Sequence, residues 1–159
     1  MEFKPPRMDE VESRAWLALI ATAELLPAAL DAQLQADSDM SHFEFILLSR
    51  LQLAEDRTMR MKQLAEASNA TLPRLSKAVD RLASRGWVER LACAEDRRAT
   101  NVRLTPEGRR ALVRATPGHV ATVRQGVLDR LSREQLVALA DALEPILAGL
   151  DPKHHFLGA

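Results

Sequence analysis

The sequence contains one cysteine, no tyrosine and only 4% aromatic residues. A lone thiol cannot close an internal disulfide, which argues against a disulfide-stapled secreted scaffold. No apolar run approaches the roughly 20 residues that a bilayer-spanning helix requires. The opening MEFKPPRMDE lacks the apolar core of a secretory signal. Together these shortfalls predict a reduced, cytoplasmic protein with no membrane partner. The devices of catalysis are missing too: there is no Gly-rich phosphate loop, no nucleophile elbow and no acid–base pair. His42, His119, His154 and His155 lack the tight Cys/His spacing of a metal site. The expectation is therefore no enzyme, no catalytic residues, no metal and no cofactor.

Net charge is missing as well, but only on average. Residues 57–114 hold 14 Lys/Arg against 6 Asp/Glu, a local balance of +8, and the remainder holds 8 against 16, or −8. The zero total hides a strongly basic segment, and a concentrated positive field suggests a polyanion partner, with duplex DNA leading.

Apolar residues make up 47% of the chain, enough to fill a real interior, and Ala and Leu dominate them, favouring helices. Residues 1–8, with Pro5-Pro6, read as an extended arm. Helical periodicity follows from about Asp9 to Leu34, carried by Trp16, Leu17, Ile20, Ala23, Leu26 and Leu30; Pro27 should kink or split it. Gln35–Asp39 reads as a loop. Ser41 and Glu44 form a capping box for a helix over His42–Ala54, with Phe43, Ile46, Leu47, Arg50 and Leu51 along or beside its buried stripe. A short helix over Lys62–Ala67 precedes another that is capped by Thr71, carries Pro73 in its first turn, and ends near Ser84 with Gly86 left-handed behind it. Trp87–Leu91 and Thr100–Leu104 read as strands flanking the Arg-rich loop Ala92–Ala99. Thr105 and Pro106 start a fifth helix, which Thr116-Pro117-Gly118 should kink or break. Ser132 opens a last helix to about Leu147, and the tail after it should fray.

This order predicts a mainly α fold with a small β-hairpin wing: a winged helix-turn-helix with N- and C-terminal dimerisation helices. Residues 1–40 form the arm and first dimerisation helix, 41–112 the DNA-binding unit, and 113–159 the C-terminal dimerisation helices. The terminal helices are more apolar than a lone DNA-binding unit requires, and most simply bury each other across a two-fold axis.

On the fourth helix Leu72, Leu75, Val79 and Leu82 form the inward stripe, while Arg74, Lys77 and Arg81 line the opposite side beside Ser76. A helix fits the major groove, where Arg and Lys donate to guanine O6 and N7. Thr71, Pro73, Arg74, Ser76 and Lys77 are the expected contacts near base edges, and Arg81 lies nearer the DNA backbone. Arg97 and Arg98, at the hairpin tip, suit the minor groove. Asp96 cannot favour DNA by charge and would pre-shape that tip by holding an Arg or an amide. A solvated cationic face and an ordinary charged hairpin are the plainer alternatives.

The segment LAEASNATLPRLSKAVDRLASRGWVER resembles the helix-turn-helix of the MarR family of bacterial transcription regulators. The wing EDRRATNVRLTPEGR is similar to that family's Asp-x-Arg wing followed by Leu-Thr and a Gly, with Asp96, Arg98, Leu104, Thr105 and Gly108 at those positions. The similarity is strongest over about residues 42–112. It implies an obligate homodimer, a pseudo-palindromic double-stranded DNA operator and, in most members, repression. It also implies, in many members, release by a small anionic aromatic effector lying between the dimerisation helices and the DNA-binding lobe.

Trp16, Phe43 and Phe45, with a polar contact from His42, could line such an effector pocket, or could simply pack the core or the dimer. Cys93 lies beside Glu95 and Asp96, which raise rather than lower a thiol pKa, so an incidental thiol is favoured over a redox sensor. The alternative function is a winged-helix module that binds an acidic protein without sequence-specific DNA recognition.

Overall fold

The computed structural model describes residues 7–92 and 100–156. Helix α1 spans Glu10–Ser38 and opens on a reciprocal capping box between Asp9 and Glu12. Pro27 does not split it, and Gln35–Ser38, expected as loop, complete its last turns. Their polarity is offset by anchoring on both sides. Leu34 and Met40 are fully buried, Asp39 takes up the left-handed conformation (φ 48°), and the Met40 amide donates to Leu34 O at 3.3 Å. Contrary to the composition reading, α1 is long and apolar enough to cross a membrane by length and composition alone, with a mean hydropathy of 1.4 over its best window. Its alanines raise that mean without forming an unbroken bulky run.

Helix α2 spans His42–Leu53 behind the predicted Ser41–Glu44 capping box. Its buried face is displaced from the expected stripe: Glu44, Phe45, Leu47, Leu48 and Leu51 are buried, whereas Phe43, Ile46 and Arg50 are half-buried. After a tight turn at Glu55–Arg57, with Asp56 and Arg57 at positive φ, comes a strand that local patterning did not reveal, β1 (Thr58–Arg60). Three residues are too few to display a period of two. Helix α3 (Met61–Ala67) and α4 (Leu72–Ser84) follow, then β2 (Val88–Ala92) and β3 (Thr100–Leu104). The sheet is antiparallel in the order β1-β3-β2, with Met59 and Arg90 both opposite Val102.

Gly86 (φ 69°) closes α4 as predicted. Its amide donates to Ala83 O and that of Trp87 to Leu82 O, the paired bonds that finish a helix on a left-handed residue. Helix α5 runs Pro106–Gly126 without a break at Pro117. A single missing amide is tolerated there because α5 packs along α1. Gly118 makes the close approach: a Cβ would stand 3.1 Å from Gln33 Nε2 and 3.2 Å from Asp37 Oδ2. Helix α6 (Arg133–Leu150) starts at the predicted Ser132 box but buries no residue within the chain. The tail over residues 151–156, expected to fray, is held in place. Asp151 accepts the amides of His155 and Phe156, and Arg50 both donates to Phe156 O and lies over its ring. One core joins Leu34 and Met40 to Leu47, Leu64, Leu75 and Val102, and it seats α4 against α2, α3 and the sheet.

Candidate nucleic-acid interface

The core fixes one face of α4 and so decides what the other can present. Leu75, Ala78, Val79 and Leu82 are buried. Leu72, expected among them, is 50% exposed: it occupies the first helical position, before the helix meets α3. Thr71 is the N-cap by backbone geometry, but its side chain makes no capping bond and is exposed, as is Pro73 in the first helical turn.

The predicted cations have different surroundings. The Arg74 guanidinium lies 4.2 Å from the centre of the Phe43 ring, which holds its stem against α2 while the helix face stays exposed. Lys77 is exposed and forms no ion pair among the described residues. Arg81 donates from Nε to Glu44 Oε1 at 2.9 Å, and so ties α4 to a carboxylate that is only 5% exposed. Ser76 is half-buried and its Oγ accepts from Arg90 Nη2 at 3.0 Å. Asp96, Arg97, Arg98 and Cys93 lie outside the described residues.

Two further arginines frame the helix, and residue patterning did not single them out. Arg85, just past α4, pairs with Asp39 and stacks 4.3 Å over Trp87. Arg90, on β2, reaches Ser76 and Asp80. At the root of the hairpin, Arg103 pairs with Glu89 directly across the strands at 2.6 Å. Their place within the basic segment was legible, but their carboxylate partners lie 10 to 46 positions away.

Of the four residues expected around an effector, two gather on His119. His42 stacks on His119 with ring centres 5.8 Å apart, and Phe45 lies 4.3 Å from His119. Phe43 turns instead toward Arg74, and Trp16 stands 49% exposed on α1. His119, from α5, completes this cluster; its sequence context offers it only as a metal-ligand candidate. Burial lowers the pKa of His42, opposed by Asp31; burial and then the neighbouring His42 lower that of His119.

A helical trio closed by a three-stranded antiparallel sheet, with the cationic side of its third helix outward, is a winged helix-turn-helix. The MarR family model matches residues 44–100. Among solved structures, the chain is similar to Sco3205 from Streptomyces coelicolor, a MarR family transcriptional regulator solved in complex with DNA. That likeness shows 40% identity over 94% of this chain and 93% of that one, with a TM-score of 0.86. AbsC, a MarR family transcriptional regulator of the same organism, is 32% identical over 92% of this chain and 98% of that one, with a TM-score of 0.85. The HTH-type transcriptional repressor YetL of Bacillus subtilis is 32% identical over 100 residues, 63% of this chain but only 59% of that repressor's length. The chain belongs to the MarR family, whose members are transcriptional regulators rather than enzymes.

Proposed function

We propose that the protein is a homodimeric repressor that binds a pseudo-palindromic DNA operator in the cytoplasm and is released by a small anionic effector. The observation that carries the DNA reading is the outward face of α4. Lys77 is exposed there without an ion pair among the described residues, one turn from Arg74. Residues 41–112 are the DNA-binding unit in this reading, with Thr71, Pro73, Arg74, Ser76 and Lys77 toward the groove and Arg97 and Arg98 on the wing, supported by Asp96. Arg81 acts near the phosphates and as a brace to Glu44.

Residues 1–40 and 113–159 join two copies. Support comes from the bare apolar surface of the terminal helices: Trp16, Leu17 and Leu25 on α1, and Val137, Ile146 and Leu150 on α6, are each 44% exposed or more. Two reading helices entering successive major grooves must stand roughly 34 Å apart. An effector held near His42 and Phe45, where α2 meets α5, would release DNA only by favouring another spacing.

The test is selection of bound duplexes from random DNA by the purified chain, followed by titration across salt and with aromatic carboxylates. An enriched inverted repeat is expected, with affinity falling steeply as salt rises. Equal retention of all sequences, with tight binding to an acidic protein instead, would overturn the DNA reading.

A further inference from the structure

Arg90 is an exposed residue of the basic segment, yet its guanidinium is held against the side of α4. Nη2 reaches Asp80 Oδ1 at 2.8 Å, Ser76 Oγ at 3.0 Å and Ser76 O at 3.2 Å, while Nη1 lies 3.8 Å from Met61 Sδ at the start of α3. One side chain on β2 therefore joins both helices of the helix-turn-helix to the strand that leads into the wing. Ser76 and Asp80 stand one turn apart on α4, as the fork of a guanidinium requires.

The consequence falls on the Ser76 hydroxyl, which has one proton and two lone pairs. A helical Ser or Thr commonly donates that proton to the carbonyl four residues back, as Ser49 does to Phe45 O and Thr116 to Leu112 O, each at 2.8 Å. Ser76 accepts from Arg90 and donates to no group among the described residues. We infer that Arg90 is a positioning residue that presets Ser76 as a hydrogen-bond donor toward DNA. The site then favours a base whose major-groove edge offers an acceptor to that proton (purine N7, guanine O6 or thymine O4) over the amino group of cytosine. This rests on the DNA-binding reading above.

The experiment compares the full-length wild type with S76A, R90K and S76A/R90K by sequencing duplexes selected from random DNA, with helical ellipticity recorded for each. Lysine keeps the charge of Arg90 but not the fork. At one base-pair step the wild type should show a preference of roughly two- to ten-fold, the scale of a single hydrogen bond. S76A and R90K should each lose that preference while keeping the rest of the motif, and the double variant should lose no more. Should R90K lose ellipticity, Arg90→Met, similar in length and without a donor, carries the same expectation.

The assignment is overturned if R90K keeps the preference that S76A loses, if S76A loses none, or if R90K weakens all sequences alike. A wild type that enriches no motif overturns the DNA reading along with it. A motif that survives with the step unaltered in R90K overturns the role of Arg90 alone.

Discussion

Glu44 and Arg81 meet at the edge of the lobe. The Arg81 Nε stands 2.9 Å from Oε1 of a carboxylate whose other oxygen accepts the Ser41 amide at 2.9 Å. Glu44 thus caps α2 and receives α4 with the same side chain, although it is almost wholly buried. Arg81 to Ala removes its cation and leaves a buried carboxylate short of a partner. The expected loss is about 1–3 kcal/mol of stability, read as a lower urea midpoint with an unchanged slope. An unchanged midpoint would show that the pair does not brace the lobe.

Lys77 gives the contrasting case. With no partner among the described residues to lose, Lys77→Ala should change stability by less than about 0.5 kcal/mol. Operator affinity should nevertheless fall, with the preference relaxed at one base position, the signature of a lost base-edge contact. A loss equal for all sequences, with the slope of log affinity against log salt smaller by about one, would move Lys77 to the phosphates instead. Unaltered affinity at every salt concentration would remove it from the interface.

Gly108 has no room for a side chain. A Cβ there would stand 2.0 Å from Trp87 O and 2.8 Å from Leu104 Cδ1. The space is closed because Thr105 ties α5 to the turn behind α4: its amide donates to Trp87 O, its hydroxyl to Gly86 O, and its oxygen accepts the Gly108 amide. Gly108→Ala must separate these segments and should cost about 1–3 kcal/mol or more. Thermal unfolding checks this; a midpoint equal to wild type would contradict the packing described.

The His42–His119 stack makes stability depend on mild acid. Burial holds both imidazoles below the ordinary value of about 6.5. Above that pH the residues are neutral whether folded or unfolded, and their contribution to stability is fully present. As pH falls, the unfolded chain takes up protons first, and the contribution is lost through the lowered folded values. The melting temperature should therefore drop between about pH 7 and 5, and His119→Phe, which keeps a ring against Phe45, should flatten that drop. An identical profile in the variant would assign the pH dependence elsewhere.

The bare faces of α1 and α6 predict self-association. Light scattering should report twice 17.7 kDa for the intact chain. Leu17 and Ile20, 62% and 38% exposed and one turn apart on α1, are the positions to charge. L17D/I20D should yield a monomer with the lobe still helical and with operator affinity reduced at least ten-fold, because one reading helix then binds alone. A dimer surviving both substitutions would move the interface off this stretch of α1.

Capping boxes at Ser41 and Ser132, Gly86 behind α4, and the inward set Leu75, Val79 and Leu82 were legible in the residues, because each is a local signal read within a turn or two of helix. The strand β1 was not legible, since three residues acquire strand geometry only by pairing with β3. Pro27 and Pro117 leave their helices unbroken for a related reason: a missing amide weakens a helix locally, but packing between α1 and α5 carries both helices past it. At the interface, residue types alone pointed to the cationic side of α4, but not to how each cation is used. Composition and local patterning determined the elements and their charged face, because helix and turn energies act over a few residues. That Arg81 braces Glu44, that Arg90 holds Ser76 and that His119 meets His42 was decided only by tertiary packing, because side chains 14 to 77 positions apart become neighbours only when the core closes.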